Sequence, residues 1–325
     1  MLSRVADSLY WMSRYLERAE NIARFLDVNW HLTLDLAVSQ QNHWSALVSV
    51  SGDLATFKQK YSDDSKNNVV RFLTIDPEYT NSIYSCLNKA RENARSVRDI
   101  IPVEMWEQIN VFFHFVERQA KPTSQLFDNP YNFCEEVKRR SMTISGLMHD
   151  AMDHDEVWLF FHLGRMLERA DKTSRILDVK YFVLLPDAED VGTIVDDVQW
   201  SALLKATSSF QAYRHQYGKI MPASIVEYLL LDHDFPRSVL YCLSQAQHCL
   251  HEIAGTRIGY FSNDAEKCIG QLCAELSFYS IDDIFAQGLH EFTDNLQLKM
   301  NRIDQAIYTT FFAAVEQVTS TINEE

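Results

Sequence analysis

Glycine and proline are scarce in this chain: nine Gly and seven Pro among 325 residues, under half their share of about 12% in average proteins. Sheet-rich folds spend those residues on turns, so the scarcity excludes most β architectures and predicts an all-α fold. The six cysteines form no Cys-x-x-Cys pair, which leaves cysteine-based metal sites without a pattern. Cys86 and Cys242 fall in apolar helical segments, so buried, reduced thiols are expected. No stretch reaches the roughly 18 uncharged apolar residues of a membrane span. The first apolar stretch is interrupted by Arg4, Asp7, Arg14, Glu17 and Arg18 and does not read as a secretory signal. A cytoplasmic protein without a membrane contact is the expectation. Gly-rich phosphate loops, GxSxG elbows, HExxH and catalytic Cys/His spacings are absent too, which weighs against an autonomous nucleotide-dependent enzyme. No cofactor is expected.

Charge is lopsided, with 45 acidic against 30 basic side chains and a formal net charge of −15. A general nucleic-acid or anionic-membrane surface is thereby disfavoured, while a local basic pocket is not. Against this background one charged signature occurs twice. MSRYLERAENIARFLDV at 12–28 returns as LGRMLERADKTSRILDV at 163–179, identical at 9 of 17 positions. Exposed charges drift readily, because surface substitutions seldom change stability by more than about 0.5 kcal/mol. Two preserved Arg/Glu/Arg sets therefore signal constraint. At an offset of 156 residues, Trp44–Leu47 matches Trp200–Leu203, Tyr61 matches Tyr217, and a Ser-x-x-x-Cys-Leu-x-x-Ala helix from Ser82 matches that from Ser238. The expected architecture is a compact multi-helix bundle of two tandem, pseudo-twofold-related repeats, 1–152 and 153–325, without a flexible linker between them.

Val5, Leu9, Met12, Leu16, Ala19, Ala23 and Leu26 mark one continuous helical stripe, and Trp11, Tyr15, Ile22 and Phe25 add a second apolar flank. The first helix is therefore expected to be central. Further helices are expected over 30–61, 65–75, 78–100, 103–120 and 131–152, then 155–182, 197–217, 222–231, 236–256, 264–278 and 281–320. The seven prolines fall at their boundaries.

Between the apolar flanks run Arg14, Glu17, Arg18 and Arg24, with Arg165, Glu168, Arg169 and Arg175 at matching positions. If the repeated helices meet across a pseudo-twofold axis, the stripes line one cleft. Its guanidinium forks suit carboxylate or phosphate groups, and Glu17 and Glu168 are the candidates for orienting them or moving a proton. The competing reading is an Arg/Glu network that staples helices together. A second basic cluster, Arg91, Arg95 and Arg98, lacks a counterpart in the other half and is a candidate substrate contact or a solvated face. Arg237 and Ser238 after Pro236 suit either an anion at a helix start or an ordinary cap. The run His149, Asp150, Asp153, His154, Asp155 and Glu156 looks superficially metal-binding but lacks the ExxH pairs of di-iron bundles, so no metal site is assigned.

The opening MLSRVADSLYWMSRYLERAENIARFLDV, with ARENARSVRD from Ala90, FPRSVLYCL from Phe235 and DEVWLFFHLGRMLERADKTSRILDV from Asp155, resembles the bacterial alpha-E family over nearly the full length. The resemblance implies a wholly helical protein. It also implies a genetic setting beside, or fused to, a circularly permuted ATP-grasp protein, often near a transglutaminase-like protein. The family's recurrent charged positions correspond to Arg4, Arg14, Glu17, Arg18, Glu20 and Arg24, to Arg91, Glu92, Asn93 and Arg95, and to Arg165, Glu168, Arg169, Asp171 and Arg175. Asp171 is a shorter acid where the first repeat has Glu20. The functional expectation is an accessory partner of an ATP-grasp carboxylate–amine ligase acting on a peptide-like product. In it the Arg/Glu stripes hold an anionic substrate; the alternative is a noncatalytic scaffold.

Overall fold

The computed structural model describes residues 1–35, 43–121, 124–183 and 194–313, and these contain helices but no strand. In order they are α1 (Ser3–Asp35), α2 (His43–Ser51), α3 (Leu54–Lys60), α4 (Lys66–Thr74), α5 (Ile83–Ser96), α6 (Val103–Gln119), α7 (Pro130–Asp150), α8 (Glu156–Val183), α9 (Ile194–Ala206), α10 (Phe210–Tyr217), α11 (Pro222–Leu231), α12 (Val239–Ala254), α13 (Asp264–Phe278), α14 (Ile281–Gln287) and α15 (Leu289–Ile307). A π turn, Tyr308–Phe312, follows.

α1 and α8 form the axis of the bundle. Because apolar residues occupy two flanks of α1, it packs on α8, α5, α7 and α9, and Leu9, Met12, Ala19, Ala23 and Leu26 are fully buried. Burying a Leu or Met side chain contributes about 1.5–3 kcal/mol before entropy is charged. α8 is flanked in turn by α12, α15 and α2. Two short helices thus cross over, α2 onto α8 and α9 onto α1.

The axial helices touch at Ser13 and Gly164, which share a place in the repeated signature. A Cβ on Gly164 would stand 2.4 Å from the Tyr10 carbonyl oxygen and from Ser13 Oγ. Only glycine permits that approach, and it brings the charged stripes within bonding range.

Most expected boundaries fall within a few residues of those observed, and the differences have local causes. The expected 30–61 helix is divided among the end of α1, α2 and α3, with 36–42 outside the described residues. Its last break lies at Gly52, where φ is +80°. The 197–217 helix breaks at Ser208, at φ +56°, and the 281–320 helix at Gly288, at φ +99°, conformations that end a right-handed helix; residues 314–320 are not among those described. α5 and α12 start at Ile83 and Val239 because Ser82 and Ser238 cap them, each hydroxyl accepting from a backbone N–H three residues on.

Candidate functional site

The two signature glutamates end up buried and exchange partners across the α1–α8 interface. Glu17 on α1 accepts from the Arg169 fork, Nε to Oε1 at 2.9 Å and Nη2 to Oε2 at 3.0 Å. Arg165 Nε reaches its Oε2 at 3.2 Å and Arg237 Nη1 its Oε1 at 3.1 Å. Glu168 on α8 accepts from the Arg18 fork, Nε to Oε1 at 2.6 Å and Nη2 to Oε2 at 2.9 Å. Arg14 Nε lies at 2.9 Å and Lys172 Nζ at 3.5 Å. Each carboxylate is therefore held by three cations.

The third cation comes from a different place for each glutamate, Arg237 for Glu17 and Lys172 for Glu168. Position 21 is Asn where its counterpart is Lys172, and position 81 is Asn where its counterpart is Arg237. Asn21 instead donates to Glu17 at 3.2 Å, and Asn81 accepts from Arg18 at 2.6 Å. The two substitutions offset each other, so the charge around both glutamates stays matched while the geometry does not.

Flanking acids extend the network. Glu20 accepts from Arg24 at 2.6 and 2.9 Å, from Arg237 at 2.7 Å and from Ser141 at 2.8 Å. Asp171 holds Arg175 at 2.9 Å and Lys172 at 2.8 Å. Arg14 also bonds Asp304 and, at 3.1 Å, the Tyr10 hydroxyl, which itself donates to Asp304. Arg24 donates to the Ser208 hydroxyl.

Burial would push the carboxyl pKa values up, but the surrounding cations prevail. Arg169, Arg237 and Arg165 hold Glu17 well below the usual carboxylate range, and Arg18, Lys172 and Arg14 do the same for Glu168. Asp171 is drawn down to about 2, despite burial, by Lys172 and Arg175. Both glutamates are thus anions at neutral pH with their lone pairs occupied, a poor arrangement for accepting a proton from a substrate. Arg237, desolvated and facing Arg169, falls to about 10 and remains cationic near neutrality.

Of the ten residues singled out as catalytic or binding, Glu17 with Arg165 and Arg169, and Glu168 with Arg14 and Arg18, form two neighbouring sets across the α1–α8 interface, with Arg24 and Arg175 bound to the acid four residues earlier on the same helix. Arg91 and Arg95 join neither set. Arg91 Nε donates to Asn110 at 2.6 Å and its guanidinium lies over Phe113, while exposed Arg95 pairs with Glu92 at 2.6 Å. Arg237, read at first as a helix-start residue, reaches into the charged core, and Ser238 supplies the cap. Asp304 escaped notice because it stands 290 residues from Arg14 in the chain and lies outside the repeated signature.

In the histidine-rich run His149 lies tilted against His154, which stacks on Trp158, and Trp158 stacks on His162. Among the described residues, the group with metal-ligand spacing is instead Asp178, His290 and Asp294, where His290 Nδ1 lies 2.6 Å from Asp178. All six cysteines are free, and burial raises the thiol of Cys86 to about 11 and that of Cys242 to about 12.

A family described as a predicted alpha-helical domain with a conserved ER motif matches residues 1–312. The chain belongs to the alpha-E family. Glu-Arg occurs at 17–18 and 168–169, the buried pairs described above, and also at 117–118 on an exposed face. Similar proteins are an uncharacterised protein of Mycobacterium bovis and two from Mycobacterium tuberculosis strains, each 27% identical over 271 residues. That alignment covers 78% of this alpha-E chain but only 30% of each relative. No solved structure matches the chain. No described helix is long and apolar enough to cross a membrane.

Proposed function

We propose that this alpha-E chain is a noncatalytic helical module that serves a cytoplasmic ATP-grasp carboxylate–amine ligase as an assembly partner, its doubled Arg/Glu signature acting as the lock that holds α1 against α8. The observation carrying this reading is the reciprocal burial of Glu17 and Glu168, each held by three cations. A general base needs a free lone pair and access to its substrate; both glutamates are at most 2% exposed and fully engaged. The ligase setting comes from the family resemblance. The mycobacterial relatives carry the matching region within much longer chains. A transglutaminase-like protein is a further expected neighbour.

The second reading, stripes that hold an anionic substrate, draws on one feature. Arg14, Arg18, Arg24, Arg165, Arg169, Lys172, Arg175 and Arg237 outnumber Glu17, Glu20, Glu168, Asp171 and Asp304, leaving the described network cationic in a strongly acidic chain. The adjoining voids are small, however. One of about 20 Å³ lies beside Arg18, Lys172 and Asn81, and one of about 10 Å³ beside Glu17 and Arg165. Those volumes suit a water or two and not a substrate.

The test is gentle co-purification of the tagged protein from its host, followed by ligation assays of the complex with an Arg14→Ala/Arg165→Ala variant. The module reading expects an ATP-grasp protein to be recovered, and the variant to melt earlier yet support full ligation below its melting range. Selective loss of ligation by a folded variant would transfer the assignment to the anion-holding reading.

A further inference from the structure

A cavity of about 490 Å³ lies between α12 and α13 beneath the 255–263 loop, and shares no lining residue with the charged core. Its inner wall carries a buried imidazole–carboxylate pair, with His251 Nδ1 at 3.2 Å from Glu266 Oε1. Thr256 bridges the two, its Oγ1 2.8 Å from Nδ1 and donating to Glu266. The other carboxylate oxygen accepts from Ser262 N at 2.6 Å, Ser262 Oγ at 2.8 Å and Asn263 Nδ2 at 3.0 Å. Although burial opposes it, the Thr256 and Ser262 hydrogen bonds and His251 lower the Glu266 pKa, so the group is a fully engaged anion.

This arrangement fixes the ring and frees one nitrogen. His251 is 2% exposed and lines the cavity; Nδ1 is committed, while Nε2 has no protein partner and is not sealed from accessible space. A carboxylate behind a histidine orients the ring so that its other nitrogen meets a ligand. The Glu266 carboxylate is turned toward its own donors in the inner wall, and exposed Lys267 is the cationic side chain of the lining, the group available to pair with an anionic ligand. Ile258, Tyr260 and Phe261, each more than half exposed, form an apolar lip, with Lys267 Nζ 5.6 Å from the Phe261 ring centre. The pocket is specific to this half: in the 156-residue register, Gln247 and His251 stand where α5 has Arg91 and Arg95.

We propose that this cavity binds a small aromatic carboxylate, with its carboxylate on Lys267, its ring under the Tyr260–Phe261 lip and a polar substituent on His251 Nε2. The volume falls within the range of small-molecule sites. The assignment is independent of the ligase reading.

The experiment is ligand-observed NMR titration with 4-hydroxybenzoate, with 4-hydroxybenzamide as the uncharged control. Saturable binding of the acid is expected, with the amide about tenfold weaker for want of a charge-assisted bond. Lys267→Met should bring the acid to the level of the amide and leave the amide unchanged. Gly270→Leu should abolish both by filling the cavity; a Cβ there meets nothing nearer than the Gln247 side-chain nitrogen at 3.4 Å. Unchanged melting of both variants excludes misfolding as the cause of any loss. Absence of saturable binding, equal affinity for acid and amide, or full binding by Gly270→Leu overturns the proposal.

Discussion

Replacing Glu168 by Gln preserves shape and removes one charge, so it isolates the electrostatic part of the lock. The wild-type carboxylate is 0% exposed and faces Arg18, Arg14 and Lys172. Without it these cations retain, among the described residues, Asp304 and Asp171 as acidic partners, and the new amide N–H₂ turns a donor toward a guanidinium. Removing one partner of a buried ion pair costs about 3–5 kcal/mol. The Gln oxygen still accepts one N–H, which favours the lower end, about 3 kcal/mol. With an unfolding entropy of about 2.1 cal/mol/K per residue, a chain of 325 residues shifts by about 1.5 °C per kcal/mol, so the melting midpoint should fall by about 4–5 °C. Glu92→Gln is the matched control, because Glu92 and Arg95 are both largely exposed and such pairs contribute about 0–1 kcal/mol. Thermal unfolding by circular dichroism decides the matter. A Glu168→Gln shift no larger than that of Glu92→Gln would refute the claim that this pairing locks the helices.

Three other perturbations test neighbouring parts of the account. Gly164→Ala should force α1 and α8 apart, costing about 1–3 kcal/mol or more through overpacking, and should weaken both ion-pair sets together; an unchanged melting midpoint would contradict the close approach. Acid should destabilise the wild type as pH falls below the unfolded glutamate pKa of about 4.3, because Glu17 and Glu168 then gain protons more readily in the unfolded chain. The double Glu→Gln variant should be less stable near neutrality but show a shallower loss in that window, measured by urea unfolding at stepped pH. Burial, with Arg165 and Arg169 nearby, lowers His162 to about 3; the unfolded ring protonates from about pH 6.5 downward, so stability falls through the interval 6.5 to 3 and His162→Phe should flatten it.

The long helices and their charged stripes were legible because they depend on local period and on a signature written twice. Ser82 and Ser238 were visible as matching letters, and their role as caps follows from the same spacing. The breaks at Ser208 and Gly288 were harder to read, since a left-handed φ at one residue leaves apolar periodicity on both sides intact. The meeting of Glu17 with Arg169 and of Glu168 with Arg18 depends on the glycine at 164, whose meaning appears only when α1 lies against it. Arg237 and Asp304 enter from far along the chain, and no local pattern announces which distant side chain completes a buried charge. Arg91 and Arg95 had the same composition as the stripes but sit on α5 facing Asn110, Phe113 and solvent, because α5 packs on α1 and α6 and lies outside the α1–α8 interface.

The most direct measurement of the central claim is a double-mutant cycle on Glu17 and Arg169, with Glu17→Gln, Arg169→Met and the combination compared by denaturant unfolding. The lock account predicts strong coupling, about 2–3 kcal/mol, with the second substitution costing far less once the first has removed its partner. Additive losses, within about 0.5 kcal/mol, would show that the two side chains do not act as a pair and would contradict the account.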